Sequence, residues 1–523
     1  MNRFYIILFL FLFLFQTCSP NSDKDSLLVL FRKGDNHLPH VNESITSLDE
    51  KNPAGIQESS IRMPWEWTLT SGNSSTKSIK RPKVVIDLDY IYVVADYDTT
   101  HVDKQSNKIL VTNSLILKKY DPDKNLIWTK MIAVPGTVLR VIAMKGNDEQ
   151  LYITGTTNGF FESKRISEYE DTFVAAVDKK SGNLLWKKQI GNAENYSFTP
   201  TAILSDNASL FIAGTTNKNL NKGFDPERTF ISKQSLFLMK INTKDKNQVW
   251  LKQTSIVHAD VIPTDLALDT FSDNSEKNQP PITRKHIYLL GTAKDADVDR
   301  ERNTLGPENQ NVYSLFILKY DANNGTEHFV SQLGGKSPQF YTGNSIAVER
   351  SYHPRRLNLY VVGNSNVNNS TQEVEEGHYG ILANFNITDN GIINSVMVTN
   401  FGSAQLGKIT NIRAINIDHT RQAVYIAGET NEDLADKNTR PIGEKEIFVA
   451  KISTEKIGQQ NLNHQKNWIW LHQFGSLNSM IFNPTIDSNF RNLYLCGSGS
   501  GSLNQIPFQG ELDQFLIKFD LFR

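Results

Sequence analysis

Between Trp186 and Gln253 the chain reads WKKQIG (186–191), TPTAILSD (199–206), LFIAGTTN (210–217), SLFLMKIN (235–242) and VWLKQ (249–253). These segments are five to eight residues long. They are rich in β-branched and aromatic residues and alternate or run continuously apolar, which is the patterning of strands rather than helices. Four such segments form a unit, and the unit recurs seven times between Trp65 and Arg523. A four-strand unit in seven copies predicts an all-β chain, a seven-bladed β-propeller of four-stranded blades.

The marks of the unit recur in order. An aromatic-led element opens at Trp65, Trp128, Trp186, Trp250 and Trp470, with degenerate copies at Phe329 and Ser395. A small apolar element follows, and then the sharpest one, an aromatic-x-x-Gly strand at Tyr92, Tyr152, Phe211, Tyr288, Tyr360, Tyr425 and Tyr494. Its glycine position falls at Ala95, Gly155, Gly214, Gly291, Gly363, Gly428 and Gly497, with spacings of 59 to 77 residues. Those spacings exceed the ~40–45 residues of a common propeller blade. The excess lies after the glycine strand, in loops near 97–113, 157–171, 216–234, 293–313, 365–378, 430–445 and 499–511. Equivalent loops emerge on one face, which becomes the expected recognition surface. Short turns such as KKSGN and ANNG, tolerant of positive φ, join the fourth element to the next aromatic element. The aromatic and glycine marks read as scaffold: large rings wedge between sheets, and the glycine lets the backbone bend at a strand end.

The phase of the ends matters. The chain opens the repeat with an aromatic element and stops after a fourth element, FLIKFD. If the aromatic element is the outer strand of the preceding blade, 65–71 completes the last blade and latches the ring, leaving no open array edge.

The order of a YxxG strand, a loop, a D/S-x-F-L-x-K-x-D strand and a W-x-x-Q-x-G strand resembles the bacterial SBBP-type seven-bladed propeller repeat over residues 63–523. The resemblance implies the fold and an extracytoplasmic habit and brings no catalytic residues. Ala95 and the copies without tryptophan depart from its pattern. The segment VDKKSGNLLWKKQI also resembles repeats of pyrroloquinoline-quinone dehydrogenases, and the blade style resembles lipid-anchored outer-membrane assembly scaffolds.

Residues 1–17 read as a signal peptide: Arg3, then an apolar run over 4–15, shorter than the ~20 residues a membrane span needs. Cys18 directly follows, in a context resembling a lipobox, and is the expected lipidation site. Residues 18–62 are polar, carry Pro20, Pro39 and Pro53, and read as a flexible tether between lipid and propeller, with a short apolar patch at 27–31. The two cysteines, Cys18 and Cys496, exclude a disulfide framework, and Cys496 sits in a strand as a small hydrophobe.

Chemistry is sparse. With 55 basic and 56 acidic residues interspersed and a net charge of −1, nothing indicates nucleic acid. Asp295, Asp297 and Asp299 begin a calcium-like spacing, but Arg300 and Gly306 occupy the places that need glycine and glutamate. The run GSGSG at 497–501 reads as a flexible loop, and no HExxH, GxSxG or phosphate loop is present. The chain is expected to be a monomeric, non-catalytic cell-envelope lipoprotein of the outer membrane, facing either side of it. It would bind a protein partner through its long-loop face or act as an assembly scaffold, without metal or cofactor. The alternative is an extracytoplasmic glycosidase, lyase or quinone enzyme, with Asp87, Asp89, Asp265 and Asp269 near the propeller axis as acid and base candidates.

Overall fold

The computed structural model describes residues 65–522, apart from 72–78, 103–108, 135, 163–169, 192–196, 218–233, 255–258, 274–281, 296–311, 335–338, 353–354, 368–373, 388–392, 404–405, 419–421, 435–444, 459–467, 476–479, 504–505 and 509–511. Residues 1–64, which include Cys18 and the segments read as signal and tether, lie outside the described residues, as do Asp297, Asp299 and part of every long loop.

Seven antiparallel four-stranded sheets span 79–132, 139–190, 198–254, 260–334, 341–401, 410–474 and 480–520, and we number these blades 1 to 7. Blade 3 shows the order, with strands Phe198–Asp206, Ser209–Thr216, Ser235–Asn242 and Gln248–Thr254 side by side. The first strand of each blade touches the first strand of the next, and that of blade 7 touches that of blade 1, so these seven strands line the axis and the ring is closed. The aromatic element is therefore the outermost strand of its blade. In blade 7 that strand is Trp65–Ser71, paired antiparallel to Asp513–Asp520 with Thr68 opposite Ile517. The two ends of the chain share one sheet. Glu66 pairs with Lys518 at 2.6 Å there, and the Ile79 amide donates to the Leu512 carbonyl at 2.9 Å across the seam to blade 1.

The glycine mark has a different cause from the one its position suggests. It lies inside its strand, not at the end, for Thr215 and Thr216 continue the pairing beyond Gly214. Opposite it, the innermost strand bulges, with register shifts at Val141/Ala143, Pro200/Ala202, Pro263/Asp265, Gly343/Ser345 and Ile412/Ala414. The bulge thrusts a carbonyl at the glycine, so a Cβ on Gly155, Gly214 or Gly428 would collide with the oxygen of Arg140, Thr199 or Asn411. In blade 1 the bulge is wider, running from Lys80 to Lys83 with Arg81 at a φ of 51°, and Ala95 pairs with Ile116 where Gly497 of blade 7 pairs with Phe515.

The Q-x-G mark is equally structural. Gln189 Nε2 donates to the Asp171 carboxylate at 2.6 Å and to the Gly159 carbonyl at 3.0 Å, while its Oε1 accepts from the Phe161 amide at 2.8 Å. Gln473 repeats this with Glu446 at 2.8 Å, the Glu432 carbonyl at 2.9 Å and the Leu434 amide at 3.2 Å. Gly191 and Gly475 leave room for those buried acids, for a Cβ on either would strike Asp171 or Glu446. The third-strand lysine ties blades together: Lys119, Lys240 and Lys518 donate to the carbonyls of Lys179, Ala322 and Pro122 in the next blade at 3.1, 2.9 and 3.3 Å. The strand aromatic rests against the outer tryptophan of its own blade, at ring centroid distances of 6.2 Å for Tyr92–Trp128 and Tyr152–Trp186, 5.9 Å for Phe211–Trp250 and 6.0 Å for Tyr425–Trp470.

Two sequence readings change. GSGSG is not a loop over most of its length: 497–500 continue the strand Asn492–Ser500, and Gly497 makes room for the Phe515 ring. The degenerate copy in blade 5 aligns on Met397, not Ser395, because Met397 pairs with Asn384 as Trp470 pairs with Lys451. Cys496 is fully buried and free of disulfide, as expected, and burial pushes its thiol pKa up.

Candidate functional site

Six of the seven copies carry at least one of two space-filling marks, the third-strand lysine or the outer tryptophan. Blade 5 carries neither: Asn384 stands in the lysine's place and Met397 in the tryptophan's. A lysine would reach toward the next blade and a tryptophan would cover Tyr360, and both shorter side chains leave that volume empty. A cleft of about 620 Å³ opens there, lined among others by Arg350, Arg356, Asn384, Asn386, Asn394 and Met397, with Gln422, Thr454 and Glu455 of blade 6 as its far wall.

The lining is amide-rich and rigidly held. Asn386 donates to Asn358 Oδ1 at 2.9 Å. Glu349 accepts from the Tyr360 hydroxyl at 3.0 Å, and burial, then the Glu349 charge, raise the Tyr360 pKa. Arg350 forks onto Asp269, with Nε at 2.9 Å from Oδ1 and a second bond to Oδ2, and stacks 4.1 Å over the Phe271 ring. Arg356 is exposed at the rim. The side-chain oxygen of Asn384 is buried and accepts no hydrogen bond, although the residue is only 5% exposed. Buried acceptors are nearly always paired, so this one marks a place for a donor. Together these groups suit a polar segment with hydrogen-bond donors and a carboxylate or carbonyl for Arg356. Sequence reasoning passed over them because it took the loss of tryptophan as decay of the repeat; the coincident loss of lysine was the available signal.

The cleft lies at the end of the blade that carries the short turns. The long-loop face, the surface expected to bind, falls largely outside the described residues.

The four aspartates are dispersed. Asp265 is on the axis, accepting from Ser345 Oγ at 2.6 Å and the Ile346 amide at 3.0 Å of the next blade. Across the ring stands half-buried Lys83, whose pKa is lowered by burial against the pull of Asp265. Asp269 is held by Arg350, Asp87 accepts from Lys179 at 2.7 Å, and Asp89 lies exposed in a turn. Sequence reasoning missed Asp487, another axial carboxylate, which accepts from the Ile86 amide at 2.8 Å and Asn416 at 3.0 Å and whose pKa is raised by burial. Asp87, Asp265, Asp269 and Asp487 each tie neighbouring blades together. Asp295 closes the base of its loop, its amide donating to the Val312 carbonyl at 2.9 Å and its carboxylate accepting from the Val312 amide at 3.2 Å.

No family model matches the chain, and no curated protein sequence matches it. Among solved structures it is similar to the Dos1 propeller, at 10% identity and a TM-score of 0.38, over 87% of this chain and 95% of that one. It is also similar to an ACO/RPE65 chimera, at 10% identity and a TM-score of 0.31, over 62% of this chain and 61% of that one. A cobalt-substituted apocarotenoid oxygenase from Synechocystis matches at 11% identity and a TM-score of 0.31, over 62% of this chain and 60% of that one. The chain thus spans about three-fifths of the length of the latter two structures. These likenesses concern architecture alone.

Proposed function

We propose that this protein is a non-catalytic propeller of the bacterial cell envelope, tethered by lipid at Cys18, that holds a polar segment of a protein partner in the blade 5 cleft. The observation that carries the binding reading is the cleft itself: the one copy stripped of both lysine and tryptophan opens about 620 Å³ around a buried, unpaired Asn384 oxygen. A closed ring gives such a cleft rigid walls, which lowers the ordering cost of binding. The SBBP-like order of marks and the signal-plus-Cys18 leader support the envelope address.

Met397→Trp, which restores the repeat, tests the reading. The variant is expected to fold and to lose the partner in pull-down from native membranes; Arg356→Ala is expected to weaken capture by about two- to five-fold, the modest loss of an exposed rim charge. Capture unaltered in both variants would reject the cleft as the docking site. Cys18→Ser is expected to abolish incorporation of a clickable fatty acid and release the protein to the soluble fraction, and continued labelling would reject the anchor. The enzyme alternative, with Asp265 as acid or base, predicts hydrolysis of a glycan library that Asp265→Asn abolishes.

A further inference from the structure

Blade 4 departs from the repeat in a second way. Two residues before the strand aromatic it has His286, where the other copies have Tyr90, Gln150, Ser209, Asn358, Ala423 and Asn492. One residue before the outer aromatic position it has His328, where five others have Ile127, Leu185, Val249, Val396 and Ile469. An exposed apolar position has become an imidazole, in the same blade that gained the first histidine.

The sheet brings the two together with a carboxylate. His286 in Ile282–Lys294 is directly opposite Asp321 at the end of Tyr313–Asp321. His328 sits at the bulge of Glu327–Gly334, between the pairings of Tyr320 with Glu327 and Lys319 with Phe329. One ring nitrogen from each histidine and one oxygen of Asp321 lie within 4.8 Å of one another. The histidine rings meet edge-on with centroids 5.4 Å apart. His286 is only 8% exposed, and its Nδ1 is buried with no hydrogen-bond partner.

We infer that His286, Asp321 and His328 form a binding site for a divalent transition ion of the zinc class, with three protein ligands and one coordination position open toward solvent. Two imidazoles and a carboxylate are the donor set such ions take, and three protein ligands with a vacancy is a recurrent arrangement. Bonds of about 2.0–2.2 Å bring the donor atoms within ~3.5 Å of one another, a closure that rotation of the exposed His328 ring supplies. The other groups are already placed. Asp321 Oδ1 accepts from the Asn323 and Asn324 amides at 2.8 and 3.1 Å, which fixes the carboxylate in its turn; outer hydrogen bonds of this kind orient ligands. Burial, then the Lys319 and His328 charges, hold His286 neutral, its pKa pushed down to about 4 despite Asp269 and Asp321. The Lys319 ammonium, which opposes a cation, is turned over the Tyr288 ring at 5.9 Å from its centroid. The equivalent turn acids Asp121 and Asp178 each accept one of these turn bonds, from the Asp123 and Ser181 amides, without histidines beside them, so blade 4 has added two ligands to an acid the scaffold already supplied.

The test is titration of the lipid-free mature chain, stripped with chelator, with Zn(II) against a chromophoric competitor. Wild type is expected to take up one equivalent at this site. His328→Ala, an exposed change that leaves the fold intact by circular dichroism, is expected to weaken that equivalent by roughly 100-fold, at or above the loss seen for outer-shell changes; Asp321→Asn is expected to weaken it as well. His378→Ala, a histidine in blade 5, is expected to change nothing. Zn(II) binding of equal strength in wild type and His328→Ala, or no stoichiometric uptake by wild type, would overturn the site.

Discussion

Blades 3 and 6 are built from the same plan as blades 4 and 5, and the contrast shows what the plan is for. In blade 6, Tyr425 rests on Trp470, Lys451 binds Asp418 at 3.4 Å, and Gln473 clasps Glu446. Blade 3 has its Phe211–Trp250 pair and a Lys240 that reaches blade 4. In blade 5 the tryptophan, the lysine and the glutamine are Met397, Asn384 and Asn400, and a cleft opens. In blade 4 the tryptophan's place is Phe329 and two histidines flank a turn acid. Repeated residues hold the ring together. Residues that break the repetition open the cleft and build the histidine cluster.

The contrast is broken most severely at the regular copies. Gly428→Ala forces a Cβ against the Asn411 carbonyl and the Phe448 ring, and about 3 kcal/mol or more of stability should go, as for strain in packed cores; chemical denaturation reads it. Trp470→Ala removes a ring shared by Tyr425 and Phe519 and should cost about 2–3 kcal/mol, less than a fully buried aromatic because the residue is half-buried. Met397→Ala, at the same register position in blade 5, should cost under about 1 kcal/mol. Equal losses at the two positions would mean blade 5 is packed like the rest. Gln473→Ala removes a hydrogen bond to the buried Glu446 and should cost about 2 kcal/mol.

A subtler contrast lies in pH. Asp96 and Glu429 occupy the same place, one residue past the glycine position. Burial raises the Asp96 pKa to about 6 although Arg81 pulls it down. Burial also presses on Glu429, but Arg413 and Lys445 prevail and hold it below its usual value. Between about pH 4 and 6 folded Asp96 keeps a proton that the unfolded chain has lost, so its contribution falls as pH rises, by up to about 3 kcal/mol. Glu429 does the reverse: its contribution is present above the unfolded pKa and is lost as pH falls through the folded one. Stability of Asp96→Asn minus wild type should therefore grow from pH 4 to 7, while Glu429→Gln minus wild type should change mainly below about pH 4.5, growing as the pH falls.

The ring was legible because each mark does one job in most of the seven copies, and periodicity reports a repeated job. Even there the cause needed coordinates: Gly155 and Gly214 are required by a bulge in the neighbouring strand, which no local pattern displays. The closure at Trp65–Ser71 followed from the phase of the repeat alone. The cleft and the histidine cluster were illegible because they are departures. His286 and His328 are 42 residues apart, and only strand register places them beside Asp321. Met397 was hidden by a two-residue offset in the alignment of its copy. The axial aspartates looked like chemistry, yet Asp265 is held by Ser345 and Ile346 and Asp269 by Arg350.

The measurement closest to the central claim is photocrosslinking in native cells from a reactive residue at Asn394, on the rim of the blade 5 cleft, against the same residue at Gln248, which opens the outer strand of the regular blade 3. Both positions are exposed. The account predicts a recurrent protein adduct from 394 and none from 248; adducts from 248 alone, or equally from both, would contradict the claim that binding resides where the repeat breaks.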